Sequence, residues 1–335
     1  MSNKLNVGVI GLGVGSRHVQ AYDSHPNASV RIVCDFDNNQ LKKMNSDQII
    51  TTVNAEDVIN DKKVDIVSIA SFDNYHKMQI IQAIQNNKHI MAEKPICQDW
   101  NELVQIYEAQ KDHPHIKLSS NLVLRTNSMF QKFKKDIKYG LFGDVFYFEG
   151  DYYWGRKEKL FGWRSEMGFY SIILGAAIHM IDLIMWLLES KPVSVQAIGN
   201  NIPTKNTKLK FNSFAIIILK FQNGIIAKVT GNAGCVHPHF HGLKINGTKL
   251  TANHEFAGSY YMNSSSPKSN PEPILEPYPE KEVRKNIIHS FLDSIIDESK
   301  EPIVNMHDVF DVMSVCFAAE KAMNTGGEID IEYLN

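Results

Sequence analysis

The sequence predicts an α/β fold, a doubly wound parallel sheet at the N-terminus followed by an α+β region in which strands succeed one another directly. Three observations predict it. An apolar run at Val7, Val9 and Ile10 breaks at once into glycines at 11, 13 and 15. Strand-like and helix-like stretches then alternate through the first third of the chain, as βαβ units require. In the second half, apolar runs follow one another across a Gln222-Asn223-Gly224 turn, which is a hairpin signal.

With 335 residues, 43% of them hydrophobic, and a formal net charge of −2, the chain can form two domains with a large buried core. Near-neutral charge without a basic block argues against a nucleic-acid partner. The first thirty residues show no signal-peptide pattern, and no run approaches the ~18 apolar residues of a membrane span, so no membrane association and a cytoplasmic location are expected. Cys34, Cys97, Cys235 and Cys316 are scattered without a CxxC pair, which fits reduced thiols better than a disulfide framework or a zinc site.

Taken in order, Val7 to Ile10 reads as a buried strand and Ser16 to His25 as a helix. The turn between them, with Gly11, Gly13, Val14 and Gly15, offers backbone N–H groups at a helix N-terminus, an arrangement that suits the pyrophosphate of a dinucleotide. The third glycine comes one residue early for GxGxxG, and Ser16 stands in its expected place. The next strand, SVRIVCD, ends at Asp35, 20 residues past Gly15, about where a carboxylate accepts the adenosine ribose hydroxyls. That carboxylate repels a 2′-phosphate, and Phe36 and Asp37 offer no cation to hold one, so NAD is expected over NADP. The alternative for Asp35 alone is a residue that caps a turn.

A strand over Val64 to Ala70, a helix over Tyr75 to Asn86 and a strand over His89 to Ala92 continue the alternation. Two strand ends carry chemistry: Ser71 to His76 (SFDNYH), and Ala92-Glu93-Lys94-Pro95. In the second, a lysine can present its ammonium to a substrate oxygen while proline fixes the turn. A helix over Trp100 to Gln110 and a strand over Ile116 to Arg125 close the first domain. The expected boundary falls at Asn121, giving domains 1–121 and 122–335.

In the second domain, Phe130 to Tyr139 reads as an amphipathic helix and Gly143 to Tyr153 as a sheet strand. Trp154, Trp163 and Arg164 follow in a polar, aromatic segment. Aromatic faces suit sugar rings, and an arginine fork suits carboxylate or phosphate. Gly175 to Leu188 is a deeply apolar helix with His179 and Asp182 on one face, either an acid–base pair or a satisfied core histidine. Strands follow at Phe214 to Phe221, Gly224 to Thr230 and Leu243 to Ile245. Between the last two, His237, His239 and His241 project to one face of an extended chain. A metal trio, contacts to sugar hydroxyls or phosphates, and a solvent or subunit contact are the readings; apart from Cys235 no further ligand is placed to complete a metal site, so no metal is expected. Ser264 to Glu280 reads as a loop, Lys285 to Asp297 and His307 to Met323 as helices, and Glu328 to Tyr333 as a last strand.

The motifs VGVIGLGVGSRH, VCDFD, SIASFDNYH and above all MAEKPI resemble the NAD(P)-dependent family of glucose-fructose oxidoreductase, inositol dehydrogenase and the rhizopine catabolism enzymes (Gfo/Idh/MocA). The resemblance covers essentially the whole chain. It implies a Rossmann domain and a second domain built on an open, mostly antiparallel sheet. It further implies that Lys94 is catalytic, that Glu93 contacts the nicotinamide ribose, and that Ser71 and His76 line the cofactor cleft. Asn121 and Arg125 fall where a VxxNxR-like strand passes the nicotinamide. Trp163 and Arg164 resemble a substrate contact, with Arg125, Asp182 and His239 also on the substrate side. His179 then removes a hydroxyl proton while Lys94 steadies the developing charge.

One departure stands out. Inositol-dehydrogenase-like members carry an aspartate four residues before this histidine, where this chain has Gly175, so either Lys94 and His179 suffice or another acid such as Asp151 takes the role. The expected activity is an NAD-dependent oxidoreductase working on a secondary hydroxyl or keto group of a sugar or sugar derivative, with a nucleotide-linked sugar of surface polysaccharide synthesis favoured. The alternatives are a polyol or free-sugar dehydrogenase in catabolism, a non-catalytic NAD-binding sensor, and a hydrolase or lyase that uses NAD transiently. An open apolar sheet needs covering, so a homodimer or homotetramer through the second-domain sheet is expected.

Overall fold

The computed structural model describes residues 4–44 and 48–334. The chain forms two compact units, one from residues up to 123 together with Lys281–Phe310, the other from Leu124–Glu280 together with Asp311–Tyr333.

The first unit is built from β1 (Leu5–Ile10), α1 (Gly15–Asp23), β2 (Ala28–Cys34), α2 (Asn38–Lys43), β3 (Ile50–Thr52), α3 (Ala55–Asn60), β4 (Ile66–Ile69), α4 (Asp73–Gln85), β5 (His89–Ala92), α5 (Trp100–Lys111) and β6 (Leu118–Ser120). The strands form one parallel sheet in the order β3-β2-β1-β4-β5-β6. Val7, Val9, Val33, Val67, Ile69 and Ile90 are wholly buried, as continuous apolar runs become when helices cover both faces. Three of these helices, α2, α3 and α5, start at side-chain caps: Asp37 accepts from Asn39 N, Asn54 from Glu56 N and Asp99 from Glu102 N. Strand order reverses between β1 and β4, so the loops after these two strands lie side by side at the carboxyl edge.

The second unit contains α6 (Ser128–Lys138), β7 (Val145–Tyr153), α7 (Trp163–Glu166), α8 (Ile178–Leu188), β8 (Pro192–Asn200), β9 (Phe214–Phe221), β10 (Ile226–Asn232), β11 (Phe240–Gly247), β12 (Thr251–Glu255), β13 (Gly258–Met262) and β14 (Glu272–Pro273). The chain then forms α9 (Lys285–Ile296) of the first unit, whose His289 bonds Ser24 and the Ala21 carbonyl at 3.0 Å each. It ends with α10 (Met306–Thr325) and β15 (Ile329–Asp330). The nine strands run β14-β13-β12-β11-β7-β10-β9-β8-β15, antiparallel except for the β7–β10 pair. Residues alternate across this sheet. Phe148, Gly150 and Tyr152 turn inward, where Gly150 lies against Met180 and Ile184 of α8. Glu149 and Asp151 turn outward, where both pair with Lys228.

Several expectations change. The strand drawn from Ile116 to Arg125 is only β6, and Val123–Thr126 forms a 3₁₀ turn, because Arg125 turns to an acid on α8 and Asn127 caps α6. The long apolar helix opens with a π-turn at Ile173–Ala177 before α8 begins. Asp151 lies on the sheet face opposite Tyr152 and is bonded to Thr230 and Lys228. An acid there is turned away from the helix that bears His179.

Burial pushes the His254 imidazole down to about 4, and burial together with Lys117 and His115 does the same to His89. Both lie below the ordinary value of about 6.5, so the fold binds fewer protons than the unfolded chain and loses stability as pH falls from ~6.5 to ~4. For His254 this amounts to about 2–3 kcal/mol over the full window. Urea denaturation at pH 7 and pH 4.5 should show a steeper loss for the native chain than for His254→Gln. Equal losses in the two proteins would contradict the assignment.

Candidate active site

At the carboxyl edge of the first sheet, the three glycines do different work. Gly11 has φ +85° and a Cβ there would lie 2.4 Å from the Ala70 carbonyl oxygen, so only glycine makes the turn. A Cβ on Gly13 would meet nothing within 4 Å, which leaves its backbone open to a ligand. A Cβ on Gly15 would stand 3.1 Å from Val9 and 3.2 Å from Ala70, so α1 packs closely on the sheet. Turn, approach and packing are all served despite the shortened spacing.

Asp35, 7% exposed, accepts the Leu12 N–H at 2.6 Å and the Asp37 N–H at 2.8 Å. It therefore braces the glycine turn, and its oxygens keep lone pairs for ribose hydroxyls. Phe36 beside it is 73% exposed and contacts Phe72 with ring centroids 5.5 Å apart, an apolar edge that no sequence pattern pointed to.

At the end of β5, Glu93 accepts from Asn121 Nδ2 at 2.6 Å and contacts His18 Nε2 at 3.1 Å, while His18 Nδ1 meets the Ser68 hydroxyl at 2.9 Å. Burial pushes the Glu93 carboxyl up, but His18, the Lys94 charge and Asn121 outweigh it and hold the group at about 2. Glu93 and Asn121 thus come together, and His18 is a member of the group that the sequence reading missed. Lys94 is half-buried next to this carboxylate, ahead of a cis peptide to Pro95. His76 is wholly buried, with Nδ1 2.7 Å from the Pro95 carbonyl and Nε2 3.1 Å from that of Ser71. Instead of lining an open surface, it ties the SFDNYH loop to the Glu-Lys-Pro turn, while the Ser71 hydroxyl donates to Gln79 at 2.7 Å.

In the second unit, His179 sits near the start of α8 and stacks on Tyr152 with centroids 5.7 Å apart and planes 9° from parallel. His239 and His241 contact the same ring edge-on, at 5.3 and 4.7 Å, and each other at 4.8 Å. The expectation that all three histidines of HPHFH share a face fails. His237 and His239 precede β11, and His237 stacks at 4.4 Å on Tyr153, which turns to the other face. His239 Nδ1 donates to the Trp154 carbonyl at 3.0 Å, so the neutral ring presents Nε2 as an acceptor. His241 Nδ1 is hydrogen-bonded to the Tyr278 hydroxyl, which comes from the loop before Glu280 and was not foreseen. Among the described residues no group of three or more His, Cys, Asp or Glu is arranged to hold a metal.

Asp182 is paired with Arg125: Nη2 donates to Oδ1 at 2.6 Å and Nε to both oxygens at 3.1 Å, with the two side chains 2% and 4% exposed. The Arg164 guanidinium lies 4.2 Å from the centroid of the Trp163 ring and 5.5 Å from that of Trp154, and donates to the Lys159 carbonyl at 3.2 Å.

Gly175 lies in the π-turn, a feature that often marks functional helices. A Cβ there would stand 2.5 Å from the Tyr170 hydroxyl, so the tyrosine occupies the space a carboxylate at 175 would need. Gly175→Asp is expected to cost about 1–3 kcal/mol through overpacking, and Tyr170→Ala in the same chain to relieve most of it. Urea denaturation of the three proteins checks this; an undisturbed Gly175→Asp single variant would mean that the ring yields freely.

A parallel sheet with this strand order, a glycine turn after β1, an acid after β2 and a lysine beside a half-buried glutamate after β5 define a dinucleotide-binding unit of the Rossmann class. Residues 5–121 match the oxidoreductase family with an NAD-binding Rossmann fold, and residues 130–253 match the GFO/IDH/MocA C-terminal domain. The chain belongs to the Gfo/Idh/MocA family. Over 250 residues, 73% of this chain and 66% of the relative, it is 26% identical to 2,7-anhydro-N-acetylneuraminate hydratase of Escherichia coli strain K12. The matched stretch thus falls just short of two thirds of that relative's length. Among solved structures, myo-inositol 2-dehydrogenase from Lactobacillus plantarum superposes with a TM-score of 0.84 at 22% identity, covering 98% of this chain and 100% of the other. The WlbA dehydrogenase from Bordetella pertussis, in complex with NADH and UDP-GlcNAcA, gives 0.82 at 19% identity, with 99% and 100% covered. These two likenesses establish the fold.

Proposed function

We propose that the protein transfers hydride between NAD and a secondary hydroxyl or keto group of a sugar or sugar derivative. The observation that carries this reading is Lys94 held beside the His18–Glu93–Asn121 network at the carboxyl edge of the sheet, the edge at which open α/β folds bind their ligands. NAD, when bound, supplies the hydride acceptor. The residues fit it: Gly13 leaves an open backbone, Val14 and Gly15 begin α1, and Asp35 stands ready for the ribose. Glu93 and Asn121 would take the nicotinamide ribose, with His76 and Ser71 fixing the turn behind them. Lys94 steadies the oxygen on which charge develops, and His179 takes the hydroxyl proton. Trp163, Arg164 and His239 are the substrate-side groups, while Arg125 and Asp182 act from behind as a paired support for α8.

Within this class a nucleotide-linked sugar is favoured, in keeping with the UDP-GlcNAcA complex of the WlbA relative. A polyol or free-sugar dehydrogenase is the alternative, in keeping with the inositol dehydrogenase relative. Incubating the protein with NAD and UDP-GlcNAcA or myo-inositol and following NADH absorbance tests both; NADH formed with neither, nor with a wider sugar panel, would leave the non-catalytic sensor.

A second reading has a specific observation behind it. His239 with an acceptor Nε2 and the His241–Tyr278 pair stand beside His179, more proton-handling groups than hydride transfer alone requires. Such groups suit a water addition or elimination at a transiently oxidised sugar, in keeping with the name of the hydratase relative. Loss of deuterium from a labelled substrate carbon without net NADH would identify it.

A homodimer or homotetramer through the outward face of the second sheet, on which Ile198 is 72% and Ile226 43% exposed, completes the proposal. A monomer by light scattering at micromolar concentration would overturn it. No helix among the described residues is long and apolar enough to cross a membrane. A cytoplasmic location remains part of the proposal.

A further inference from the structure

We infer that the second unit carries a subsite for an anionic substituent of the sugar, a carboxylate or a phosphate, built from Arg164 and the indole N–H of Trp154. The inference rests on the reading that the substrate is a sugar and names its class more closely.

Three donors here have no anion. Arg164 is clamped against Trp163 and Trp154, and among the described residues its hydrogen bond goes to the Lys159 carbonyl. A guanidinium carries more N–H groups than one carbonyl can use, and among the described residues no carboxylate pairs with it. Arg156 has a buried Nε without an acceptor. Trp154 is 4% exposed, and its Nε1 is likewise buried without an acceptor. Each such orphan is destabilising unless something fills it.

The contrast with Arg125 is informative. Within the same unit, the fully buried guanidinium has its own carboxylate in Asp182. Arg156 and Arg164 lie in the segment WGRKEKLFGWR, residues 154–164, where four cations face the single acid Glu158. The surplus of positive charge is therefore local, and two stacked indoles hold one of its members in place at a modest entropic cost.

The subsite also adjoins the proposed base. The Trp154 ring meets Tyr152 at 6.3 Å, and Tyr152 carries the His179 ring on its face. The Trp154 carbonyl orients His239. An anion bound by Arg164 and the Trp154 N–H would fix one end of a sugar ring whose hydroxyls fall within reach of these histidines. Bidentate recognition by a guanidinium prefers a planar carboxylate or a phosphate over a hydroxyl, because two charge-assisted bonds replace one neutral bond.

The test is isothermal titration calorimetry of the full chain saturated with NADH, with D-glucuronate, D-glucose 6-phosphate and D-glucose as probes. At least one anionic sugar is expected to bind about tenfold or more tightly than glucose, a difference of ~1.4 kcal/mol, and to weaken as salt is raised. Whichever anionic sugar binds identifies the group as carboxylate or phosphate. Arg164→Gln should remove the preference, Arg164→Lys should restore part of it, and Trp154→Phe should weaken only the anionic sugar; NADH binding should be the same in all. Equal affinity for all three sugars, failure of all three to bind, or a preference that survives Arg164→Gln overturns the subsite. If NADH itself does not bind, the proposed function fails instead, and the two failures are thereby told apart.

Discussion

Replacing Arg125 with methionine is expected to destabilise the fold by about 3–5 kcal/mol, because it leaves a carboxylate uncompensated in a nearly dry site. The Asp182 side chain is 2% exposed and is flanked on α8 by the wholly buried Ile181 and Leu183. It loses its pair of 3.1 Å bonds from Nε and the 2.6 Å bond from Nη2. Removing both charges, as Arg125→Met with Asp182→Leu, should recover most of the loss, since apolar groups of similar volume carry no desolvation penalty. The coupling between the two changes, read from urea denaturation of the native chain, both single variants and the double variant, should be a few kcal/mol. A double variant as unstable as the worse single one would mean that the pair is required for packing rather than for charge balance. Because His179 lies three residues before Asp182 on the same helix, a looser α8 should also disturb the base.

The parallel sheet was readable because its determinants are local. Buried central strands are continuous apolar runs, glycines act through their own φ and their own missing Cβ, and the strand-end acid lies a set distance along the chain. The second sheet was readable in β9 and its hairpin with β10, where apolar residues alternate. It was not readable in β12, where Asn253 and His254 are buried and no apolar period survives. The candidate site divides the same way. Glu93 and Lys94 are adjacent in sequence, whereas His18 reaches Glu93 across 75 residues and Arg125 reaches Asp182 across 57, separations that no spacing rule covers. The π-turn at Ile173–Ala177 and the closeness of Tyr170 to Gly175 are packing features that leave no sequence period.

His179→Asn should lower kcat by about 10²–10⁴ while leaving NADH affinity unchanged, because asparagine keeps the approximate size and a hydrogen-bonding edge but cannot accept and release the proton. The pH profile carries the sharper evidence. If His179 takes the hydroxyl proton, the plateau that ends the rising limb of kcat/KM should disappear in the variant, since hydroxide then replaces the imidazole and the rate keeps climbing with pH. Lys94→Met should cost a comparable factor through lost charge stabilisation, with a second consequence in the first unit alone. The Lys94 charge helps to hold the Glu93 carboxyl at about 2, against burial, so removing it should raise the Glu93 pKa. NMR titration of that carboxyl detects the shift without any substrate. A variant in which Glu93 still titrates unchanged would mean that His18 and Asn121 suffice, and that Lys94 faces away from the network it adjoins. Unchanged turnover in His179→Asn would exclude His179 as the base and transfer the role to His239, whose acceptor Nε2 is the nearest chemical equivalent on the same tyrosine ring.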